Sequence, residues 1–428
     1  MTLLHWFRND LRIHDHRILG AIPDGTTHLL CVYVIDPQEW RSVSPGFAKT
    51  GAFRTRFLLE ALADLDTSLQ SLGNRLLVAV GSPADVIARL ATQHAVDMVT
   101  ADREVTSEEC TTEDAVRRSL GHIPLHLGWS RTLFHPADLP FPIAELPNVF
   151  TTFRKAVEKL SSIRPELPTP TVVPPPPSNV EWLAMPTITD LVPSAPSDDA
   201  RAVLRFVGGE TAGLDRLNDY IWQRNLIATY KETRNGLIGE AYSSKLSPWL
   251  SLGCLSPRAI HAEVRAYERD VVSNSSTYWL VFELLWRDFF RFTAMAMGTR
   301  IFKPHGMKGA AVQWKHDAEV FEAWRTGTTG NDFVDANMRE LLHTGWMSNR
   351  GRQNVASWLT KAKHIDWRWG ARWFEHALVD YDVCSNWGNW AYVAGVGNDP
   401  REDRFFNTAK QAATYDEHGD YRRLWLSQ

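Results

Sequence analysis

The chain has 428 residues, 44% of them hydrophobic, and 46 Lys+Arg against 50 Asp+Glu give a formal net charge of −4. That length predicts two domains, and the charge balance excludes a protein whose whole surface is a basic nucleic-acid platform. Apolar runs stay shorter than about 18 residues, and the N-terminus, MTLLHWFRNDLR, carries charge where a signal peptide would be apolar.

No membrane or targeting segment is therefore evident, and the expectation is a soluble protein of the cytoplasm or another reducing intracellular compartment. Cys31, Cys110, Cys254 and Cys384 form no CxxC pair, which argues against a disulfide framework and a structural zinc.

From the N-terminus, the apolar runs LLHWF (3–7), LLCVYVI (29–35), RLLVAVG (75–81), VDMVTA (96–101) and IPLHLG (123–128) have buried-strand character. They alternate with helical patterns such as 53–73 and 82–95, the latter opened by Ser82 as N-cap and Pro83 in the first turn. Strict alternation predicts a doubly wound parallel sheet, so residues 1–128 read as a Rossmann-like α/β domain. It lacks GxGxxG after the first strand, and GxxxxGKS/T occurs nowhere, which excludes the usual dinucleotide and nucleoside-triphosphate fingerprints. With 12 Lys+Arg against 16 Asp+Glu, these residues carry the whole net charge, so any DNA contact must come from a local patch.

Residues 129–200 are dense in proline and predict a connector over the surface, interrupted by one helix, VFTTFRKAVEKL. From 201 to 428 the pattern is helical almost throughout, with Leu, Trp and Phe at three-to-four spacing. Eighteen tryptophans is a high number, and a dozen of them follow residue 275. Taken singly each suits a core; clustered, they also suit stacking on a flat ligand or electron hopping between indoles.

Zinc and serine-nucleophile chemistry find no support. HAE at 261–263 lacks a following PCxxC, and neither HExxH nor GxSxG occurs. Three other stretches hold candidate chemistry. YSSKLSPWLSLGCLSPR (242–258) places hydroxyls and a lysine at a loop-to-helix junction, where free N–H groups favour a phosphate; a capped helix pair explains it equally well. In FELLWRDFFRF (282–292), Glu283, Arg287 and Arg291 recur near one face of an apolar helix, with Trp286 beside the carboxylate. In residues 345–390, Asn349, Arg350, Arg352, Asp380 and Asp382 are too polar for a packed core unless paired or liganded.

These stretches, with WFRNDLRIHD, YKETRNGLIGEAYSSKLSPWLSLGCLSPR, STYWLVFELLWRDFFRF and IDWRWGARWFEHALVDYDVCSNWGNWAYVAGVGNDPR, resemble the photolyase and cryptochrome family, and within it the DASH-type cryptochromes. The likeness covers nearly the whole chain. It implies an α/β antenna domain (1–128), a linker (129–200) and an all-helical domain (201–428) that holds FAD.

By that resemblance, Tyr230, Ser243, Ser244, Lys245, Leu246 and Ser247 hold the phosphates and adenosine of FAD. Arg352 with Asp380 forms an ion pair against the isoalloxazine, with Asp382, Arg287, Asn349 and Glu283 also on the cofactor side. Asn386 faces flavin N5, where a neutral amide does not repel an anionic reduced flavin. Trp390, Trp367 and Trp314 match an electron-transfer chain from flavin to surface. Glu283, Trp286, Asn349, Arg350, Gln353 and Tyr392 match walls that meet a cyclobutane pyrimidine dimer. Glu104 resembles a pterin-binding glutamate, so 5,10-methenyltetrahydrofolate is the expected antenna.

The activity implied is blue-light-driven repair of UV-damaged DNA. Tyr392 and Gln353 stand where ordinary dimer photolyases hold Trp and Met, which implies a preference for single-stranded or looped DNA, with RNA a further candidate partner. Asn349 and Gln353 stand where (6-4) photolyases and animal cryptochromes carry histidine. The competing function is a blue-light photoreceptor with little repair. A monomer is expected.

Overall fold

The computed structural model describes residues 1–309, 311–401 and 404–427. Five parallel strands form the first sheet: β1 Thr2–Phe7, β2 His28–Ile35, β5 Leu76–Val80, β6 Met98–Asp102 and β7 Leu125–Gly128, in the order β5-β2-β1-β6-β7. A two-residue hairpin, β3 Ser42–Val43 with β4 Phe47–Ala48, lies outside it. Crossover helices α1 Ala52–Ser71, α2 Pro83–Gln93 and α3 Ser107–Ser119 cover the two faces.

Helices on both faces explain why the strands read as continuous apolar runs. Along β1 and β2, Leu3, Phe7, Leu29, Cys31 and Ile35 join the core beneath α1, while Leu4, Trp6, Leu30, Val32 and Val34 join the core beneath α2 and α3. That is the alternation of a pleated strand shared between two layers. Ser82 stands at the N-cap of α2 with Pro83 following, but its side chain makes no capping hydrogen bond. α3 is too polar along SEECTTEDAVRRS to announce itself by apolar periodicity.

The proline-rich segment does more than run over the surface. Its helix α4 (Phe150–Leu160) buries Phe150, Phe153 and Val157, and Leu133 and Phe134 donate their backbone N–H groups to the buried Asp288 carboxylate at 3.0 and 2.9 Å. Prolines stop it from forming regular structure, yet its apolar residues still enter the principal core.

The C-terminal half is helical: α5 Glu210–Asn218, α6 Tyr230–Thr233, α7 Ser247–Ser251, α8 Pro257–Asp270, α9 Ser275–Met297, α10 Ala318–Thr326, α11 Asp332–Thr344, α12 Asn349–Ser357, α13 Trp367–Ala377, α14 Val383–Ala394, α15 Thr408–Tyr415 and α16 Asp420–Leu426. None of the described helices is long and apolar enough to cross a membrane.

The two halves are joined by buried polar contacts as well as a shared core. Leu11 N–H donates to Leu252 O at 3.1 Å, and the buried Arg12 guanidinium donates to Gly253 O at 2.9 Å. Beside them, His5, Asp10 and His16 form a buried cluster in which each ring nitrogen already has a partner: the Asp10 carboxylate, the Thr100 hydroxyl or the Leu19 N–H.

Glu104 belongs to this joint. Its side chain is 0% accessible, held by Arg131 at 2.6 Å, Arg291 at 2.7 Å and Asn9 at 2.8 Å. The expectation of a glutamate presented to an antenna pigment is corrected here: both carboxylate oxygens are already engaged. Burial would raise this carboxyl, but the two guanidiniums overrule it and hold it well below the usual carboxylate range. The stabilisation is therefore present at neutral pH and is lost as pH falls below that range. Glu104→Gln should cost about 3–5 kcal/mol at neutral pH, and denaturant midpoints should show the gap to the wild type narrowing towards acid pH.

Candidate active site

A cavity lies inside the helical half, and three helices carry much of its wall. Helix α9 is set by a capping box, in which Asn274 accepts from the Ser276 and Thr277 N–H groups at 2.8 and 3.0 Å. Its Glu283, Trp286, Arg287 and Phe290 then face the cavity at helical spacing. Arg291 does not: eight residues on from Glu283 the helix has turned about 80° past the shared face, and Arg291 meets Glu104 instead. Helix α14 starts at Asp382, whose carboxylate accepts from Ser385 N–H at 2.8 Å. That cap aims Ser385, Asn386, Asn389, Trp390 and Val393 inward. Helix α12, capped by Ser348 on Gly351 N–H at 3.0 Å, supplies Asn349, Arg352, Gln353 and Ala356.

A further stretch of wall is the loop before α7. Ser243 and Lys245 hold φ of 59° and 57°, a left-handed conformation costing a non-glycine residue roughly 1–2 kcal/mol. Alternating hands turn successive backbone N–H groups to one side, forming a concave anion-binding nest. Strain of this kind concentrates at ligand sites.

Arg216 pins the loop by donating to Ser244 O at 3.1 Å. Lys245 is buried, its ammonium bound to the carbonyls of Tyr242 and Glu240 and stacked over the Tyr242 ring. Burial, with Arg216 adding to it, pushes the ammonium down to about 6. An anion in the nest supplies the counter-charge that favours the ammonium form.

Two residues after Lys245, Ser247 donates to the Asp380 carboxylate at 2.6 Å, and Arg352 donates to both of its oxygens at 3.0 and 2.9 Å. Asp382 is 3.4 Å from Arg131. Burial opposes its charge, but Arg287, Arg131 and Arg291 hold it below the ordinary carboxylate value. Arg287 lines the cavity while donating to Arg131 O and to Leu250 O, and burial pushes it down to about 10. Asn386 donates its amide N–H to Ala371 O at 3.0 Å. A carbonyl can only accept, so the Asn386 carbonyl oxygen is the atom left for the cavity.

Glu283 is 30% accessible and ion-paired with Arg234; burial raises its carboxyl and Arg234 opposes the rise. Trp286 is stacked on Phe150 at 3.7 Å between centroids and meets Tyr392 edge-on at 5.8 Å. Tyr392 and Arg350 do not line the cavity itself. The Tyr392 hydroxyl accepts from Arg401 and Arg404, both at 3.2 Å, and Arg350 donates to Gln353 at 2.9 Å and Asn235 at 3.0 Å.

Trp390 is buried in the cavity wall against Gly370, where a Cβ would run into its ring. Trp367, one turn earlier on α13, donates to Pro304 O at 3.2 Å, and the half-buried Trp314 donates to the same oxygen at 3.0 Å. Sequence reasoning passed over Arg234, although it stands in the quoted YKETRNG. It also passed over Phe150, which looked like an ordinary apolar residue of a linker helix, and over the floor residues Phe374 and Leu378.

A second cavity lies between the halves, lined by Tyr33, Trp40, Lys49, Arg54, Glu108, Glu109, Tyr381 and Trp387 among others. Glu109, not Glu104, reaches it. Burial, reinforced by Glu104, pushes Glu109 up to about 7.

Two family models match the chain: DNA photolyase over residues 3–175 and the FAD binding domain of DNA photolyase over residues 279–428. The Cryptochrome DASH of Gloeobacter violaceus is 52% identical over 429 residues, 100% of this chain and 86% of that protein. The chain belongs to the photolyase/cryptochrome family, in its DASH branch. The crystal structure of a Synechocystis cryptochrome superposes with a TM-score of 0.96 at 52% identity, covering 99% of this chain and 88% of that one. A bacterial class III photolyase from Agrobacterium tumefaciens gives 0.86 at 30% identity, covering 99% and 86%.

FAD is the cofactor this fold implies, and the donor set fits it. The strained nest and the anion-poor Lys245 suit a diphosphate, and the Arg352–Asp380 pair suits a flat polar ring system. Asp380→Asn keeps the shape but removes the charge on which Arg352 and Ser247 converge. Holoprotein purified from that variant should lose FAD at least about tenfold more readily, equivalent to about 1.4 kcal/mol, read as the flavin-to-protein absorbance ratio after gel filtration.

Proposed function

We propose that the protein repairs cyclobutane pyrimidine dimers in single-stranded or looped DNA under blue light. The observation that carries this reading is the pairing of Glu283 with Trp286 on the cavity face of α9, opposite Gln353 on α12. A carboxylate held by Arg234 at the mouth can accept from pyrimidine N–H groups, and the indole offers an apolar wall. Bound in the cavity, FAD supplies light absorption and reversible one-electron transfer.

The residues around it govern binding and charge. Arg352 and Asp380 orient, Arg287 leaves positive charge beside the cavity, and Asn386 presents a neutral oxygen rather than a carboxylate, so nothing at that position repels an anionic ring. Trp390, Trp367 and Trp314 lead outward as an indole series whose last member is half-buried at the surface.

The pocket supports the single-strand preference. One face of Trp286 is covered by Phe150, and Tyr392 is tied to two arginines rather than turned into the cavity. Extracting a dimer from a duplex costs a few kcal/mol of unstacking and unpairing. An aromatic face returns about 1–3 kcal/mol per base, so a site with few free faces favours strands already open. For the second cavity, aromatic walls with Lys49 and Arg54 suit a conjugated, acid-bearing pigment such as 5,10-methenyltetrahydrofolate, with Glu109 the carboxyl available to its pterin.

The test is repair of UV-damaged oligothymidine by chemically reduced holoprotein, single-stranded and duplex in parallel, in blue light and darkness. Light-dependent loss of dimers, faster on the single strand, is expected. Absence of repair by protein shown to hold reduced FAD would leave the photoreceptor, for which the indole series alone suffices. Glu283→Ala should reduce repair by at least about tenfold, a loss near 1.4 kcal/mol, while flavin photoreduction persists. Trp390→Phe should slow photoreduction yet spare repair by pre-reduced protein; loss of repair there would sink the electron-chain assignment.

A further inference from the structure

Tyr381 lines both cavities, the one in the helical half and the one between the halves. Its hydroxyl oxygen accepts from Trp387 Nε1 at 3.3 Å, and Glu375, a residue 7% exposed, lines the same groove, where its carboxylate charge bears on the phenol. Trp387 lies edge-on to Trp367, with centroids 5.5 Å apart and planes at 78°, and stands one helical turn before Trp390 on α14. Trp367 therefore has two aromatic neighbours in different directions. Trp314 shares the Pro304 carbonyl with it, and Trp387 leads through Tyr381 to the groove.

We propose that Tyr381 is a redox-active tyrosine ending a second branch of the indole series, with Glu375 as its proton acceptor. The inference rests on the light-driven electron chemistry proposed above. The oxidant is the indole radical cation left on Trp367 once the photoexcited flavin has drawn an electron through the series. Trp387 gives one electron to Trp367, and Tyr381 gives one to Trp387. The phenol proton moves to a Glu375 carboxylate oxygen. Charge and atoms balance: an indole radical cation, a phenol and a carboxylate become a neutral indole, a neutral phenoxyl radical and a carboxylic acid.

Three features favour the transfer. A phenol that loses an electron becomes a strong acid, so a carboxylate in the same groove makes it the sink relative to an indole with no proton acceptor of that kind. Burial, opposed by Lys49 and Arg54, raises the Glu375 carboxyl and makes it a better base at neutral pH. The Arg54 guanidinium stands 4.7 Å over the Tyr381 ring, which penalises a ring radical cation and leaves the neutral phenoxyl as the favoured product. A radical parked there faces the groove between the halves, so whenever no pigment fills it small one-electron or hydrogen-atom donors reach the chain by a second entry.

The experiment is transient absorption with electron paramagnetic resonance on illuminated holoprotein carrying oxidised FAD. Wild type should show indole radicals followed by a phenoxyl radical whose formation slows in heavy water. Tyr381→Phe should abolish the phenoxyl, and Trp387→Phe should delay it. Glu375→Gln, which keeps a polar partner without a base, should abolish the heavy-water effect along with most of the phenoxyl.

A phenoxyl that survives in Tyr381→Phe overturns the inference, as does wild-type protein that photoreduces its flavin with indole radicals alone. Failure of photoreduction itself would count against the proposed function. Azide-radical oxidation of tryptophan in the dark then decides the inference separately: passage of the radical to tyrosine in wild type but not in Tyr381→Phe supports it, and no passage overturns it.

Discussion

One buried carboxylate sets the geometry on which the rest depends. Glu104, at the end of the sheet, holds Arg131 and Arg291, and each guanidinium carries a structural element with it. Arg291 belongs to α9, the helix that presents Glu283 and Trp286. Arg131 donates onward to Ser251 O at 2.7 Å and approaches Asp382, the cap of α14. Arg287 adds bonds from α9 to Arg131 O and Leu250 O. The carbonyl end of α7 is thus held by two arginines, and the strained loop that precedes α7 cannot relax away from the cavity. The α/β domain therefore positions the cofactor cradle although none of its own strands touches it.

The same joint decides the electrical character of the cavity. Arg131, Arg287 and Arg291 gather around Glu104, Asp382 and Asp288 in a region of low exposure, so each guanidinium there has a carboxylate beside it. Lys245 differs: its hydrogen bonds go to carbonyls, and burial disfavours its ammonium form. A buried charge without a counter-charge is costly, and an anionic ligand beside Lys245 is the natural remedy. Two left-handed non-glycine residues in the cradle fit the same logic, since a ligand that receives the converging N–H groups offsets their strain.

Much of this was legible in the sequence, for identifiable reasons. The parallel sheet announced itself because strands buried on both faces must be apolar at every position. The pairing of Arg352 with Asp380 was legible through the family resemblance, while the residues alone said only that such polar groups in an aromatic-rich stretch need a partner or a ligand. Contacts joining residues far apart in the chain were not. Glu104 was read as an antenna-binding glutamate and not as a joint because its partners lie 27 and 187 residues away, and periodicity says nothing about such pairs. Phe150 was hidden in a proline-rich segment whose composition suggested surface. Arg291 was placed near one helix face with Glu283 and Arg287 by a count of fours, but 3.6 residues per turn carries a series of fours steadily off the face.

The aromatic content joins structure to redox chemistry in a way that packing alone does not require. Trp324, for example, is a core residue in the ordinary sense: its ring is buried between Phe321 and Phe374, and its N–H is satisfied by Val355 O at 3.0 Å. Trp367 and Trp314 differ. They share a single backbone acceptor, so their indole nitrogens can be no further apart than the two hydrogen bonds combined. A carbonyl oxygen has two lone pairs and satisfies both indole N–H groups at once, and in doing so it brings two oxidisable rings close at fixed separation. Gly370 completes the arrangement, because any side chain there would displace Trp390 from its place one turn beyond Trp367. The spacing of the rings, more than their number, distinguishes a conductor from a core.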